Sequence, residues 1–151
     1  MLKDFFVDLA KRVKQSGVLD KRQRGAAALE SAIILPVMVL ASLGGVNMTL
    51  AGYAAVAATN AANYGARVGS VSQQNAAGRA ITAAEGHASQ TGIGEYTVSA
   101  YGGGRRGSQI VVEVHWEFPN WFRGIMAFVG GGGTPAKFQG DARSTFRQEG
   151  W

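Results

Sequence analysis

Cysteine is absent from all 151 residues. That absence excludes disulfide staples, thiol nucleophiles and every zinc or iron–sulfur site built on thiolates, and it leaves the compartment open. Charge is missing over a long stretch: between Glu30 and Arg67 no side chain carries a formal charge. Basic residues are scarce where a nucleic-acid-binding domain would need them. The net charge of +5 arises early, where Lys3, Lys11, Arg12, Lys14, Lys21, Arg22 and Arg24 stand against Asp4, Asp8 and Asp20. From Ala26 onward eight basic residues face seven acidic ones, and only Arg105-Arg106 makes a basic pair. No basic stripe remains for nucleic acid. The two histidines, His87 and His115, lack a spacing that would converge on a metal, and no serine, histidine and carboxylate arrangement stands out. We therefore expect no catalytic residue, no metal and no cofactor.

What is present begins with a leader. In LKDFFVDLAKRVK, Leu2, Phe5, Phe6, Leu9 and Val13 share one helical face and the charges share the other. Such a short amphipathic helix suits a membrane surface or a cytosolic leader that packs loosely. Gly17 and the polar run DKRQRG are expected to separate it from the apolar segment beginning at Ala26. The basic excess of residues 1–25 is of the kind that holds one end of a spanning segment in the cytoplasm.

From Ala26 the chain reads AAALESAIILPVMVLASLGGVNMTLAGYAAVAATNAANYGAR. About twenty apolar residues cross a bilayer, so residues 26–46 can span and the continuation to about residue 67 can project beyond. Ala51, Gly52, Ala54, Ala55, Ala57, Ala58, Ala61, Ala62, Gly65 and Ala66 make that continuation smooth. Small residues let helices approach closely, which suits partner helices; the same smooth face also suits docking of the chain's own sheet.

Residues 72–90 predict a second helix, with Ser72 as N-cap and Ala76, Ala77, Ala80, Ile81, Ala84 and Ala88 as its apolar face. The TGIG stretch at 91–94 ends it. The period then changes to two. In QIVVEVHWEFP the positions Ile110, Val112, Val114, Trp116 and Phe118 alternate with Glu113, His115 and Glu117. Residues 95–101 predict the strand before it, joined through GGGRRG. Residues 137–146 predict a third, with Phe138, Ala142 and Phe146 on one side and Lys137, Gln139, Asp141, Arg143 and Thr145 on the other. Pro119 stops the middle strand, and WFRGIMAFV makes an apolar excursion before the GGGG of 130–133. The architecture expected is α+β: a long N-terminal helix, a short second helix, and a three-stranded antiparallel sheet covered by the projecting half of the first helix. In domain terms this gives a leader at 1–25, an apolar helix at 26–70 and a small exported domain at 71–151. Gly102, Gly104 and Gly107 match the letters of the dinucleotide-binding G-x-G-x-x-G, but they run into a strand where that fingerprint must open a helix. They belong to a hairpin loop.

Glu30 is the informative charge. A carboxylate at the membrane core costs about 2.5–3.5 kcal/mol on insertion scales, so it calls for a partner unless it lies hydrated among the headgroups. Arg67, the next basic residue, is roughly 55 Å away along a helix. A cut after Gly25 would place a new amine at Ala26, four residues from the carboxylate.

The basic run, Gly25, small residues, Glu30 and then an uncharged helix together resemble the class III signal of type IV pilins and pseudopilins. More narrowly, RQRGAAALESAIILPVMVLASLGG followed by ATNAANYGARVGS resembles the TadE-like pseudopilins of the tight-adherence (Tad, Flp-pilus) system. The likeness is close over residues 21–71 and thins through the strands to DARSTFRQEGW. It implies a pilin-like fold, cleavage between Gly25 and Ala26 by prepilin peptidase, and an assembly role for Glu30. It further implies partners among other pilins, an inner-membrane assembly platform and the lipid bilayer, with the N-terminus cytoplasmic and the C-terminal domain outside. After assembly the subunit would stand at the cell surface or in a pilus and serve adherence. Pro36 sits where such proteins often carry a proline; it removes one helix hydrogen bond and kinks the span. Two positions depart from the pattern: Ser31 stands where the family usually has an aromatic, and Ala26 where other type IV pilins begin with Phe or Met.

Two other readings stay open on the sequence. Ala55-Val56-Ala57 offers a small-x-small site for a conventional signal peptidase, although the apolar stretch before it exceeds the usual 7–15 residues. A single-pass anchored binding or scaffold domain that keeps its leader and joins no filament is the other.

Overall fold

The computed structural model describes residues 2–128, 133 and 135–149; the side-chain surroundings of 2–10, 12–27, 126 and 128 lie outside that description. The order of elements is α1 (Leu2–Val71), α2 (Ala76–Ser89), β1 (Glu95–Gly102), β2 (Gln109–Pro119), α3 (Arg123–Phe128) and β3 (Lys137–Arg147). The expected class and order are met: a long apolar helix, a short second helix and a three-stranded antiparallel sheet. The expected break at Gly17 is not. α1 stays helical from Leu2 through Gly17, Gly25 and Pro36 to Val71. A helical glycine costs only about 1 kcal/mol against alanine, and the flanking Lys, Arg and Gln are good helix formers. The amphipathic face of the leader falls on side chains outside the description, as does most of the GGGG stretch.

The chain divides into two compact units, Met1–Leu43 and Gly44–Trp151. The second contains the C-terminal part of α1, α2, α3 and the sheet. Strand order is β1-β2-β3, antiparallel throughout, so β2 is central. Its register sets Val98, Val114 and Ala142 in one row and Ala100, Val112 and Ser144 in the next. The large side chains of the inward face therefore come mainly from β2. Ile110, Val112 and Val114 are fully buried and Phe118 nearly so. Each such side chain contributes about 1.5–3 kcal/mol when removed from water.

Against that face lie alanines. Ala58, Ala61, Ala62 and Ala66 of α1 and Ala76, Ala80, Ala84 and Ala88 of α2 form one core with β2, while Ala51 and Ala54 join Phe118 in a smaller cluster. The α2 set repeats every fourth residue, which keeps it on one face. Helix and helix approach closely at Gly65, where an added Cβ would stand 2.6 Å from the Ala80 carbonyl oxygen and 2.8 Å from the Ala84 Cβ. At Gly69 it would stand 2.9 Å from the Ala80 Cβ. This corrects the reading of the Ala-rich face as a surface for partner helices. Its alanines at 51, 54, 58, 61, 62 and 66 are 0–7% exposed, and what covers them is the chain's own α2 and sheet.

Ser72 is not the cap of α2. Its hydroxyl donates to the Val68 carbonyl, 2.7 Å away, and so completes α1. Asn75 is the cap, in left-handed conformation (φ 49°), with its side-chain oxygen accepting from the Gly78 amide at 3.2 Å. A clasp closes the far end of α1. Gln148, 6% exposed, donates from Nε2 to the Ser72 carbonyl at 2.8 Å, and the Glu149 amide donates to the Ser70 carbonyl at 2.9 Å. The Gln148 Oε1 accepts from the Gly104 amide in the β1–β2 hairpin.

Candidate functional site

The helix α1 carries every residue singled out for processing or assembly. Gly25 and Ala26 lie in its helical backbone, and their side-chain surroundings are outside the described residues. Glu30 is exposed. Around it Leu29, Ile33, Ile34, Leu35, Val37 and Met38 expose roughly half to two thirds of their surface, from 48% at Ile34 to 66% at Leu29. Pro36 lies inside the helix. Burying side chains of this size is favourable, so a row left open along a helix calls for cover by lipid or by other helices. Within the described residues α1 holds the one segment long and apolar enough to cross a membrane, in the range Ala28–Val71. The hydroxyl of Ser42 donates to the Met38 carbonyl at 2.8 Å, which satisfies it inside the helix, as an apolar environment requires.

The structure thus sorts α1 into two surfaces with different uses. Beyond residue 46, the stripe of small residues is consumed by the core. Met48, Tyr53, Val56, Tyr64 and Val71 stay outside, each at least half exposed. Sequence reasoning named the alanines and missed this second stripe, whose signal is the placement of larger side chains between the buried alanines.

Elsewhere the surface chemistry is that of a polar sheet face. His115 Nδ1 meets Asp141 Oδ1 at 2.7 Å and its Nε2 lies 3.6 Å from Glu117 Oε1. Lys137 pairs with Glu117 and reaches Glu95 at 3.6 Å, and Arg143 reaches Glu113 at 3.5 Å. The hydrogen bond to Asp141 raises the His115 pKa above its ordinary 6.5. The hydrogen bond from Lys137 lowers that of Glu117, and Lys137 is raised in turn. The Tyr101 hydroxyl donates to Glu113 at 2.8 Å, which raises its pKa. These are cross-strand pairs on the open face: Glu113 stands opposite Arg143 and His115 opposite Asp141, while Lys137 reaches Glu117 on the diagonal. Among the described residues no group of three His, Asp or Glu side chains could hold a metal ion. Gly102 closes β1 opposite Ile110, and Gly104 and Gly107 lie in the turn between β1 and β2, as expected of a hairpin.

Comparison with known proteins gives one finding. Residues 25–67 match the family model described as TadE-like protein. The match begins at Gly25, includes Ala26, Glu30 and Pro36, and ends at Arg67, the first charge after Glu30. It is the resemblance that the residues themselves carry: over this segment the apolar helix is similar to TadE-like proteins. No curated protein and no solved structure gives a match.

Proposed function

We propose that the chain is a pseudopilin subunit of a Tad-type pilus or secretion apparatus, a structural part rather than an enzyme. Residues 1–25 form a cytoplasmic leader, residues 26–46 cross the inner membrane, and the domain beyond lies outside. Prepilin peptidase cuts between Gly25 and Ala26, and Glu30 then pairs with an Ala26 amine, its own or that of a neighbouring subunit. Other pilins and an inner-membrane assembly platform receive the subunit through α1, and the assembled structure serves adherence at the cell surface. The observation that carries this reading is the uncharged helix behind Glu30, TadE-like in sequence and open along its large apolar side chains.

The core also bears on where a cut can fall. Cleavage between Ala57 and Ala58 would remove Ala51, Ala54 and Ala57, which are buried at 0–7% exposure. It would empty one side of the cluster around Phe118. Cleavage after Gly25 spares every one of these contacts.

Glu30 supplies the test. Removing one partner of a buried charge pair leaves the other uncompensated, at a cost of about 3–5 kcal/mol. Glu30→Gln and Glu30→Leu should leave insertion and the folded domain intact and lower recovery with the pilus machinery about tenfold or more. Recovery and adherence equal to wild type in both variants would sink the assembly role. The alternative, a single-pass anchored binding or scaffold domain outside any filament, would then stand. One observation already favours it: the alanine face offered for partner helices is occupied by the chain's own domain.

A further inference from the structure

The connection between β2 and β3 is apolar where an ordinary loop is polar. Pro119 ends the strand, and Trp121, Phe122, Ile125 and Ala127 come next, with Arg123 as the one charge among residues 120–128. Connections running over a surface in water favour polar residues. Here Trp121 is 60% exposed. It is also held in place, because its ring packs on that of the buried Phe118 with centroids 5.4 Å apart.

The segment is fastened at its start. Asn120, 8% exposed, accepts at Oδ1 from the Phe122 amide at 3.1 Å and from Asn47 Nδ2 at 3.4 Å. Its own Nδ2 donates to the Pro135 carbonyl at 3.1 Å and its amide to the Ala136 carbonyl at 3.0 Å. Phe122 lies over Gly44, where a Cβ would be 3.7 Å from two ring carbons. Gly44 and Asn47 mark the turn of α1 that comes after about twenty apolar residues from Ala26, enough for roughly 30 Å of hydrocarbon. With residues 26–46 read as the span, the fastening sets an aromatic segment beside the turn of α1 that follows it. Tryptophan and its neighbours prefer that level, and a nearby arginine can reach the phosphates.

We propose that residues 121–127 seat in the outer surface of the bilayer and give the domain a second membrane contact beside α1. The proposal rests on the reading of α1 as a membrane anchor. The occupant it commits to is lipid, because the patch continues the apolar stretch of α1 in sequence level and contains an aromatic pair with one cation.

Absence of cysteine makes the test clean. Single variants Trp121→Cys, Ala127→Cys, Ile33→Cys and Arg105→Cys of the full chain would carry an environment-sensitive fluorophore in phosphatidylcholine–phosphatidylglycerol proteoliposomes. Lipids with a nitroxide near the headgroup should quench the probes at 121 and 127 about twofold or more, with little effect of aqueous iodide. The probe at 105 should show the reverse. Ala127→Cys keeps Trp121, so a result lost only in Trp121→Cys still supports the contact. If iodide quenches both loop probes while the probe at 33 answers to lipid, the anchor stands and the second contact is refuted. Protection of the loop probes from both quenchers assigns the patch to a protein neighbour and also refutes it. A water-exposed probe at 33 would refute the anchor itself.

Discussion

On the open face of the sheet, one proton changes the strength of a cross-strand pair. His115 sits between Asp141 and Glu117, and the bond to Asp141 holds its pKa above 6.5. A group whose folded pKa is raised stabilises the fold fully below its unfolded value and loses that contribution as pH rises through the folded value. Glu117 works in the opposite sense, being lowered from 4.5 by Lys137, so its contribution is present above 4.5 and fades as pH falls through the folded value. Asp141→Asn should therefore reduce Tm at pH 6, with the difference from wild type shrinking as pH rises through the folded His115 value. An imidazole NMR titration should show His115 moving down in the variant. A His115 that titrates at its ordinary value in the wild type would contradict the pair. Such detail was half legible: alternation put His115 and Glu117 on the solvent face, but nothing local could say that Asp141, on another strand, would stand opposite. Gln148 was wholly illegible, since a lone glutamine after a strand has no pattern until its partners at Ser72 and Gly104 are folded beside it.

Among the elements, α1 and α2 depend on closeness rather than bulk. Gly69 faces the Ile110 side chain of β2 as well as α2, and an added methyl would meet the Ile110 Cδ1 first and stand 2.9 Å from the Ala80 Cβ and 3.1 Å from the Ala76 carbonyl. Gly69→Ala should destabilise the domain by about 1–3 kcal/mol through overpacking. Gly52, on the exposed side of the same helix, meets nothing within 4 Å. Gly52→Ala should be neutral or stabilising by about 0.5–1 kcal/mol, because alanine is the better helix former. Thermal melts of the two full-length variants in detergent would decide, and equal effects would remove the close packing as the reason for glycine at 69. The strands were read nearly to the residue, since strict alternation and Pro119 leave little choice: 95–101 against Glu95–Gly102, and 109–119 against Gln109–Pro119. Helix ends were read less well. Ser72 has the chemistry of a cap, but its hydroxyl bonds backward to Val68, and only the chain's left-handed turn at Asn75 reveals which residue starts α2.

At the scale of the molecule, the question is where the chain is cut and which side each part occupies. If processing obeys the TadE-like pattern, Gly25→Val should leave a larger precursor in the membrane, and the mature wild-type protein should begin at Ala26. Protease added to intact spheroplasts should digest the domain beyond Arg67 in both. N-terminal sequencing that found Ala58 would establish the conventional signal-peptide reading, and full protection of the domain would reverse the orientation. The sequence made the long apolar helix legible because a run of that length without charge leaves little but helix, and it is long and apolar enough to cross a membrane. The use of the alanine face was not legible, because an alanine stripe suits a neighbour's helix as well as the chain's own sheet; only the folded core tells them apart.

The clasp at Gln148 joins residues 76 positions apart, and in doing so it imposes an order on events. Synthesis presents the end of α1, then α2 and the first two strands, long before residue 148 arrives. Until then Ser70 and Ser72 lack these bonds, and the hairpin amide of Gly104 lacks its acceptor. Completion of the domain is therefore timed by its last strand, which leaves an interval in which the core stands open. Gln148→Ala, by loosening the clasp, would lengthen that interval, a delay readable as slower acquisition of protease resistance after a pulse of synthesis.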